Sequence, residues 1–194
     1  ANPLTISSRW IYKFSGVGYS SWQHIGNNIN QLAAGMGFTM KGTNGTNSTT
    51  IDGVKNNPGS AQRYDFRGIP NNGDITLNID ANKSLLVGNP YPSAIDLDAF
   101  LNDPDNDITG IAYFWDSEPN GKSHYIKDYE GGYGAYSPGA EDYVPAVFKK
   151  YANQTGNALG NSGRNGAKYD VKYIPIGEGF NVVGSSTGGT VTFK

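Results

Sequence analysis

The sequence contains no cysteine, so disulfide bonds and thiolate metal sites are both excluded. Charged residues make up only 16% of the 194 residues, and their signs are interspersed to a net charge of −2. That balance leaves no basic surface of the kind that binds nucleic acid. The sequence also lacks an apolar run long enough to cross a bilayer, so we expect no membrane span.

What the sequence has in abundance is turn residues and aromatic residues. It contains 27 Gly, 13 Tyr and 8 Phe, a mixture typical of an all-β domain with many tight turns. Apolar residues stand at every second position from Ile75 to Ile79, which predicts a strand with one buried and one solvent-facing side. Two polar, turn-rich segments, Thr43–Gln62 and Asn153–Ala167, are predicted as loops. Strands are also predicted at Trp10–Phe14, Ser21–Ile25, Gly37–Lys41, Arg63–Arg67, Ser84–Val87, Gly110–Trp115, Gly132–Tyr136, Lys172–Ile174, Phe180–Val183 and Thr190–Phe193.

An internal repeat organises the chain. Leu32–Gly42 aligns with Ile174–Gly184, each with a Gly-x-Gly-Phe turn, and each copy continues to a glycine followed by a similar strand. Such a repeat indicates two related β modules that share one core. We therefore predict a single compact domain over residues 1–194, an all-β, mostly antiparallel β-sandwich whose related halves cover about 1–88 and 108–194.

The joining segment, residues 89–107, is predicted as a turn, a helix and a loop. Two prolines in Asn-Pro-Tyr-Pro hold the chain extended, and Tyr91 is expected to cover the end of the core. Ser93 is a suitable N-cap, with Asp96 at the third helical position. The pattern predicts one short helix near 94–101.

The aromatic residues allow two interpretations. Trp and Tyr supply bulk to a core that is poor in aliphatic residues, or they form a platform on which sugar rings stack. On the second interpretation the candidate glycan-stacking residues are Trp22, Trp115, Tyr125 and Tyr129.

Acidic residues offer candidate metal ligands and catalytic groups, although no motif selects among them. The segment Asn102–Asp107 is the densest group of oxygen ligands, and Asp103, Asp105 and Asp107 are candidate calcium ligands; the alternative is a solvated turn that ends the helix. Calcium is thus the one candidate cofactor. A carboxylate pair for glycoside hydrolysis stays open, because no spacing selects one pair. The candidates in principle are Asp96, Asp98, Asp116, Glu118, Asp128, Glu130, Glu141 and Asp142.

The ordered series of motifs resembles a module of large secreted and cell-surface proteins of the Bacteroidota, commonly those exported by type IX secretion. The resemblance covers Gly37–Gly42, Tyr64–Ile75, Leu86–Asp96, Tyr113–Asp116, Tyr129–Tyr136, Ile174–Phe180 and Gly189–Phe193. It implies an extracellular or cell-surface location and a β-rich fold, and it brings no catalytic residues.

The predicted function is accordingly non-enzymatic: an extracellular structural or adhesive module, displayed on the cell surface or self-assembling. Its expected partners are other copies of itself or cell-surface proteins. The first alternative is a carbohydrate-binding module of a secreted polysaccharide-degrading protein, with polysaccharide as the partner. The second is a glycoside hydrolase-like enzyme.

Overall fold

The computed structural model describes residues 7–28, 32–40, 49–51, 54–56, 68–119, 125–139, 143–152, 157–167 and 172–194. Within these residues the chain forms one α-helix, α1 (Leu97–Leu101), and short 3-10 turns at Ser8–Trp10, Tyr19–Ser21 and Ile126–Asp128. In the same described part, no helix is long and apolar enough to span a membrane. The strands are β1 (Tyr12–Gly16), β2 (Trp22–His24), β3 (Thr49–Ile51), β4 (Val54–Asn56), β5 (Ile75–Ile79), β6 (Ser84–Gly88), β7 (Ile95–Asp96), β8 (Ile108–Ser117), β9 (Glu130–Tyr136), β10 (Val147–Tyr151), β11 (Ala158–Asn165), β12 (Tyr173–Ile174), β13 (Gly179–Gly184) and β14 (Gly189–Phe193).

An eight-stranded antiparallel sheet dominates the fold, in the order β11-β10-β9-β8-β13-β6-β1-β2. Three smaller antiparallel pairs accompany it: β14 with β5, β12 with β7, and β3 with β4. The large sheet places β8 and β13 near its centre, so side chains on these two strands are flanked by neighbours on both sides.

One face of the large sheet, the inner face, carries the core. Phe114 of β8 and Phe180 of β13 stack there with ring centroids 5.8 Å apart. Phe100 of α1 meets Phe180 edge-on at 5.6 Å and stacks on Phe193 of β14 at 4.8 Å. The helix and the β5–β14 pair therefore form a second layer over the sheet, which confirms the prediction of an all-β, mostly antiparallel sandwich.

Strand prediction succeeded for segments with alternating or continuous apolar residues, such as β5 and β6, and failed for the exposed β11. In β5, Leu77 and Ile79 are buried while Thr76 and Asn78 are exposed, as the period of two predicts. The predicted loop Asn153–Ala167 is wrong, because β11 occupies most of it; almost all its residues are exposed, so an edge strand of this kind has no apolar pattern.

Three further segments depart from prediction or lie outside the described residues. The short hairpin β3–β4 falls within Thr43–Gln62, which was predicted as a loop. Gly37–Lys41 was predicted as a strand, but its described part forms a single isolated bridge, which joins Thr39 to Tyr12. The predicted strand Arg63–Arg67 lies outside the described residues.

The helix begins later than predicted. It covers Leu97–Leu101 rather than 94–101, and its N-cap is Asp96, whose carboxylate accepts a hydrogen bond from the Ala99 amide at 3.1 Å. The predicted first turn instead forms β7, which pairs with β12. This tertiary pairing explains the correction, because residues committed to a β ladder cannot also form a helical turn.

Asn89 holds the turn before the helix. Its side-chain amide donates to the carbonyls of Ser93 at 2.7 Å and Ile174 at 3.1 Å, and its Oδ1 accepts from the Tyr91 amide at 2.9 Å. The Tyr91 hydroxyl in turn donates to the Gly73 carbonyl at 2.8 Å. A buried asparagine thus joins the Asn-Pro-Tyr-Pro turn to the end of β12 and the loop that follows it.

The two repeat copies occupy related positions. Their closing strands, β5 and β14, pair with each other along their whole length. The two Gly-x-Gly segments lie on opposite edges of β6: the Gly88 amide donates to the Gly35 carbonyl at 2.9 Å, while Gly88 pairs with Gly179. Corresponding residues differ in burial, since Phe38 is 43% exposed and Phe180 is 1% exposed. The division into halves of about 1–88 and 108–194 stays a prediction.

Candidate functional site

The outer face of the large sheet, opposite the core, carries a cluster of aromatic rings. We call this cluster, Trp115, Tyr129, Tyr133 and Tyr151, the aromatic platform. Trp115 of β8 lies directly opposite Tyr133 of β9, and their rings meet edge to face at 4.9 Å and 73°. Tyr129 lies nearly parallel to the indole at 6.1 Å and 16°, and Tyr151 is tilted against it at 6.4 Å.

Strand alternation places these rings on the outer face. Ala112 and Phe114 are buried in the core, so Trp115, the next residue of the strand, points away from it. The cross-strand pairing of Trp115 with Tyr133 then aligns the two rings on the same side. The position of the platform therefore follows from the register of β8 and β9.

Gly131 makes room for the indole. A Cβ at this position would lie 2.5 Å from the Trp115 ring, closer than real side chains approach each other. Two hydrogen bonds fix the surrounding rings: the Trp115 Nε1–H donates to the Tyr129 hydroxyl at 3.4 Å, and the Tyr151 hydroxyl donates to the Gly131 carbonyl at 3.3 Å. The platform is thus held by side-chain contacts as well as by the sheet.

A buried amide borders the platform. Asn181 of the central strand β13 is 8% exposed and sits between the core residues Phe180 and Val182, so its side chain faces outward. Its Oδ1 is buried and has no hydrogen-bond partner in the described part of the chain. Leaving such an acceptor unpaired costs about 1–3 kcal/mol, and native proteins rarely keep one without a reason.

Asn181 and Tyr133 interact directly. Burial raises the pKa of the Tyr133 hydroxyl, the neighbouring Tyr151 hydroxyl raises it further, and a hydrogen bond from the Asn181 side chain acts in the opposite direction. Although its hydroxyl is desolvated, Tyr133 as a whole is 44% exposed. The phenol therefore reaches across the sheet from β9 towards β13 while the outer side of the residue stays accessible.

The platform contains only part of the predicted stacking set. Trp115 and Tyr129 come together in it. Trp22 lies on β2 at the far end of the sheet, half-buried, with its ring 4.8 Å from that of Phe14. Tyr125 is 60% exposed and precedes the Ile126–Asp128 turn.

Sequence reasoning did not select Tyr133, Tyr151 or Asn181. Tyr133 belongs to a Gly-Gly-Tyr-Gly run whose alternation indicates an outward ring, so a signal existed. The sequence contains no such signal for Tyr151 and Asn181, because their position beside Trp115 depends on how β10 and β13 pair with neighbouring strands.

The three candidate calcium ligands all have partners within the chain. The ammonium of Lys194 lies 2.8 Å from a carboxylate oxygen of Asp103 and 2.8 Å from one of Asp105. Asp107 instead accepts a hydrogen bond from the Thr190 amide at 2.8 Å. In the described part of the chain, no three His, Asp or Glu side chains form a group that could hold a metal ion. The acidic segment therefore connects the loop after α1 to β14 and to Lys194.

Several candidate catalytic carboxylates have structural partners. Asp96 caps α1, and Asp98 accepts a hydrogen bond from the Tyr136 hydroxyl. Glu118 pairs with Arg164 at 3.2 Å. The other described candidates are also in contact with partners: Asp116 with the Ala167 amide, Asp128 with Lys127, and Glu130 with Lys150. Glu141 and Asp142 lie outside the described residues.

Comparison with known proteins gives a family but no activity. Neither the curated proteins nor the solved structures gave a match. A family described as a domain of unknown function, DUF8693, matches residues 2–194, which is nearly the whole chain. The chain therefore belongs to the DUF8693 family.

Proposed function

We propose that this chain is a non-enzymatic adhesive module of a secreted or cell-surface protein, and that it binds its partner through the aromatic platform. The observation that carries this proposal is the position of the platform: its rings lie on the outer face of central strands, while a separate set of aromatic residues fills the core. Aromatic residues on an outer sheet face offer rigid apolar area for recognition.

The extracellular location rests on the resemblance to secreted and cell-surface modules of the Bacteroidota. The absence of cysteine agrees with that location without requiring it. A broad antiparallel sheet with its core on one face also suits an adhesive role, because rigid strands hold the recognition rings in fixed positions.

Adhesion can be tested with the purified chain on wells coated with fixed bacterial cells or with mucin. We expect the chain to be retained, and Tyr133→Ala to lower retention at least about tenfold, the effect of losing about 1.4 kcal/mol of binding free energy. The matched control is Tyr19→Ala, which removes another exposed tyrosine, 55% exposed, near the β2 end of the sheet.

Two results would contradict adhesion through the platform. One is retention no greater than on uncoated wells. The other is an equal effect of the Tyr133 and Tyr19 substitutions, because binding would then not depend on the platform. Circular dichroism of each variant confirms that a loss of retention does not arise from unfolding.

Self-assembly is a second candidate function, favoured by β11. This strand of eight residues forms one end of the large sheet, and Leu159 within it is 72% exposed. An edge strand can pair with the same strand of a second copy. Sedimentation should then show dimers whose proportion rises with concentration and falls in a Leu159→Lys variant; a monomer at every concentration would rule this candidate out.

A further inference from the structure

The polar groups at the aromatic platform indicate which hydrogen-bonding groups its ligand must carry. The indole N–H of Trp115 is already used, since it donates to the Tyr129 hydroxyl. The Tyr151 hydroxyl is also used, on the Gly131 carbonyl. In the described part of the chain, the buried group that borders the platform and has no hydrogen-bond partner is an acceptor, the Oδ1 of Asn181. A partner that completes the site must therefore bring a hydrogen-bond donor together with an apolar face.

A sugar ring has both features. The C–H face of a pyranose stacks on aromatic rings, and its hydroxyl groups donate hydrogen bonds. A proline-rich peptide fits less well, because proline has no N–H and the peptide would offer mainly carbonyl acceptors to a site whose open group is itself an acceptor. The chemistry at the platform therefore favours a polyhydroxylated ligand over this common alternative for Tyr- and Trp-lined surfaces.

Charge near the platform favours a neutral ligand. The side chains that form it are uncharged, and Lys149, which pairs with Gly131, lies at the edge of the cluster. An acidic polysaccharide would be expected to meet several cations, whereas here the recognition groups are hydroxyl, indole and amide.

We propose that the aromatic platform binds a neutral polysaccharide, with a pyranose ring stacked on Tyr133 and a sugar hydroxyl donating to the Oδ1 of Asn181. This inference rests on the proposed adhesive function and names its ligand. Because Oδ1 is covered and Tyr133 contacts the Asn181 side chain, binding requires the Tyr133 phenol to move aside. Tyr133 lies 4.9 Å from the indole, so that movement changes the surroundings of Trp115.

The decisive variant is Asn181→Leu. Leucine has the branched shape and the number of side-chain heavy atoms of asparagine, although it is larger, and it needs no hydrogen bond, so it removes a buried unpaired acceptor. We expect the thermal midpoint to stay equal or to rise while affinity for the polysaccharide falls at least about tenfold. If Asn181 had only a structural role, the substitution would not lower the affinity while it left the thermal midpoint unchanged or raised it.

The ligand can be sought by affinity electrophoresis in gels that contain cellulose derivatives, xylan, mannan or starch, with alginate and pectin as acidic gels. We expect at least one neutral gel to retard the chain. Retardation should be lost in Tyr133→Ala and Asn181→Leu and kept in Trp22→Phe, the matched control at the far end of the sheet. The same neutral polysaccharide should change the fluorescence of a variant that carries both Trp10→Phe and Trp22→Phe, in which Trp115 is the one remaining tryptophan.

Several outcomes would overturn the inference. They are no retardation in any neutral gel, retardation only in acidic gels that depends on Lys149, and displacement of the ligand by a proline-rich peptide. Failure here is distinguishable from failure of adhesion. If retention on cells still depends on Tyr133 but is not competed by neutral polysaccharide, the ligand assignment is wrong and the adhesive function stands; if retention does not depend on Tyr133, both fail.

Discussion

Replacing Asn89 by alanine tests how the Asn-Pro-Tyr-Pro turn is held. Asn89 is 9% exposed, and its side chain hydrogen-bonds both the turn and the end of β12. The substitution removes the Asn89 partner of four backbone groups: the Ile174 carbonyl, which is buried, and the Tyr91 amide and the Ser93 and Pro175 carbonyls, which are partly buried. The Pro175 carbonyl keeps a second hydrogen bond, from the Glu178 amide, so three groups carry most of the cost. We expect Asn89→Ala to be strongly destabilising although the side chain is small.

The expected loss of folding free energy follows from counting the backbone groups that lose a hydrogen bond. A buried group that loses its hydrogen bond costs about 1–3 kcal/mol, and partial access to water reduces the cost for the two less buried groups. The sum is about 3–5 kcal/mol, a large part of the 5–15 kcal/mol or so that stabilises a typical domain. For a chain of this size, that loss corresponds to a fall in the thermal midpoint of about 10 °C.

Urea unfolding followed by circular dichroism measures this loss as a change in midpoint at constant slope. The control is Asn102→Ala, the same substitution at an exposed position just after α1, which should change stability by less than about 0.5 kcal/mol. A second variant, Asn89→Asp, keeps the shape but removes the amide donors and should also be destabilising. If Asn89→Ala and Asn102→Ala shift the midpoint equally, the turn is not held by these hydrogen bonds.

Three further predictions follow from other contacts. Gly134→Ala should lower stability by about 1–3 kcal/mol, because the added methyl group overlaps the buried Tyr143 hydroxyl; an unchanged midpoint in urea would contradict that overlap. The hydrogen bond from Lys194 lowers the pKa of Asp103, so its contribution exists above the usual carboxyl pKa and disappears as pH falls through the folded-state value. The midpoint of Lys194→Gln should therefore lie below that of the parent at pH 7 and converge with it in acid, whereas a gap independent of pH would refute the ion pair as the cause. Millimolar calcium should leave the thermal midpoint unchanged, because Lys194 already occupies Asp103 and Asp105; a rise that a chelator reverses would show a calcium site.

The candidate site was only partly visible in the sequence, for a physical reason. An aromatic ring on a strand can face the core or the solvent, and period-2 alternation around Phe114 decides this for Trp115. The sequence does not place its neighbours, because Tyr151 comes from β10, which pairs with β9, and Asn181 comes from β13, which pairs with β8 at long sequence separation. Trp22 had the same local features as Trp115, yet the sheet order placed it at the opposite end.

The sequence by itself determined the fold class and the strands with alternating apolar residues, because burying one face of a sheet imposes a period of two on its residues. It also determined that a turn at Asn-Pro-Tyr-Pro precedes a short helix, since proline and the capping residues act locally. Only the tertiary structure decided where that helix begins, that the exposed β11 is a strand, and which rings meet Trp115 on the outer face. These features depend on hydrogen bonds and contacts between segments far apart in sequence, so the local sequence does not predict them.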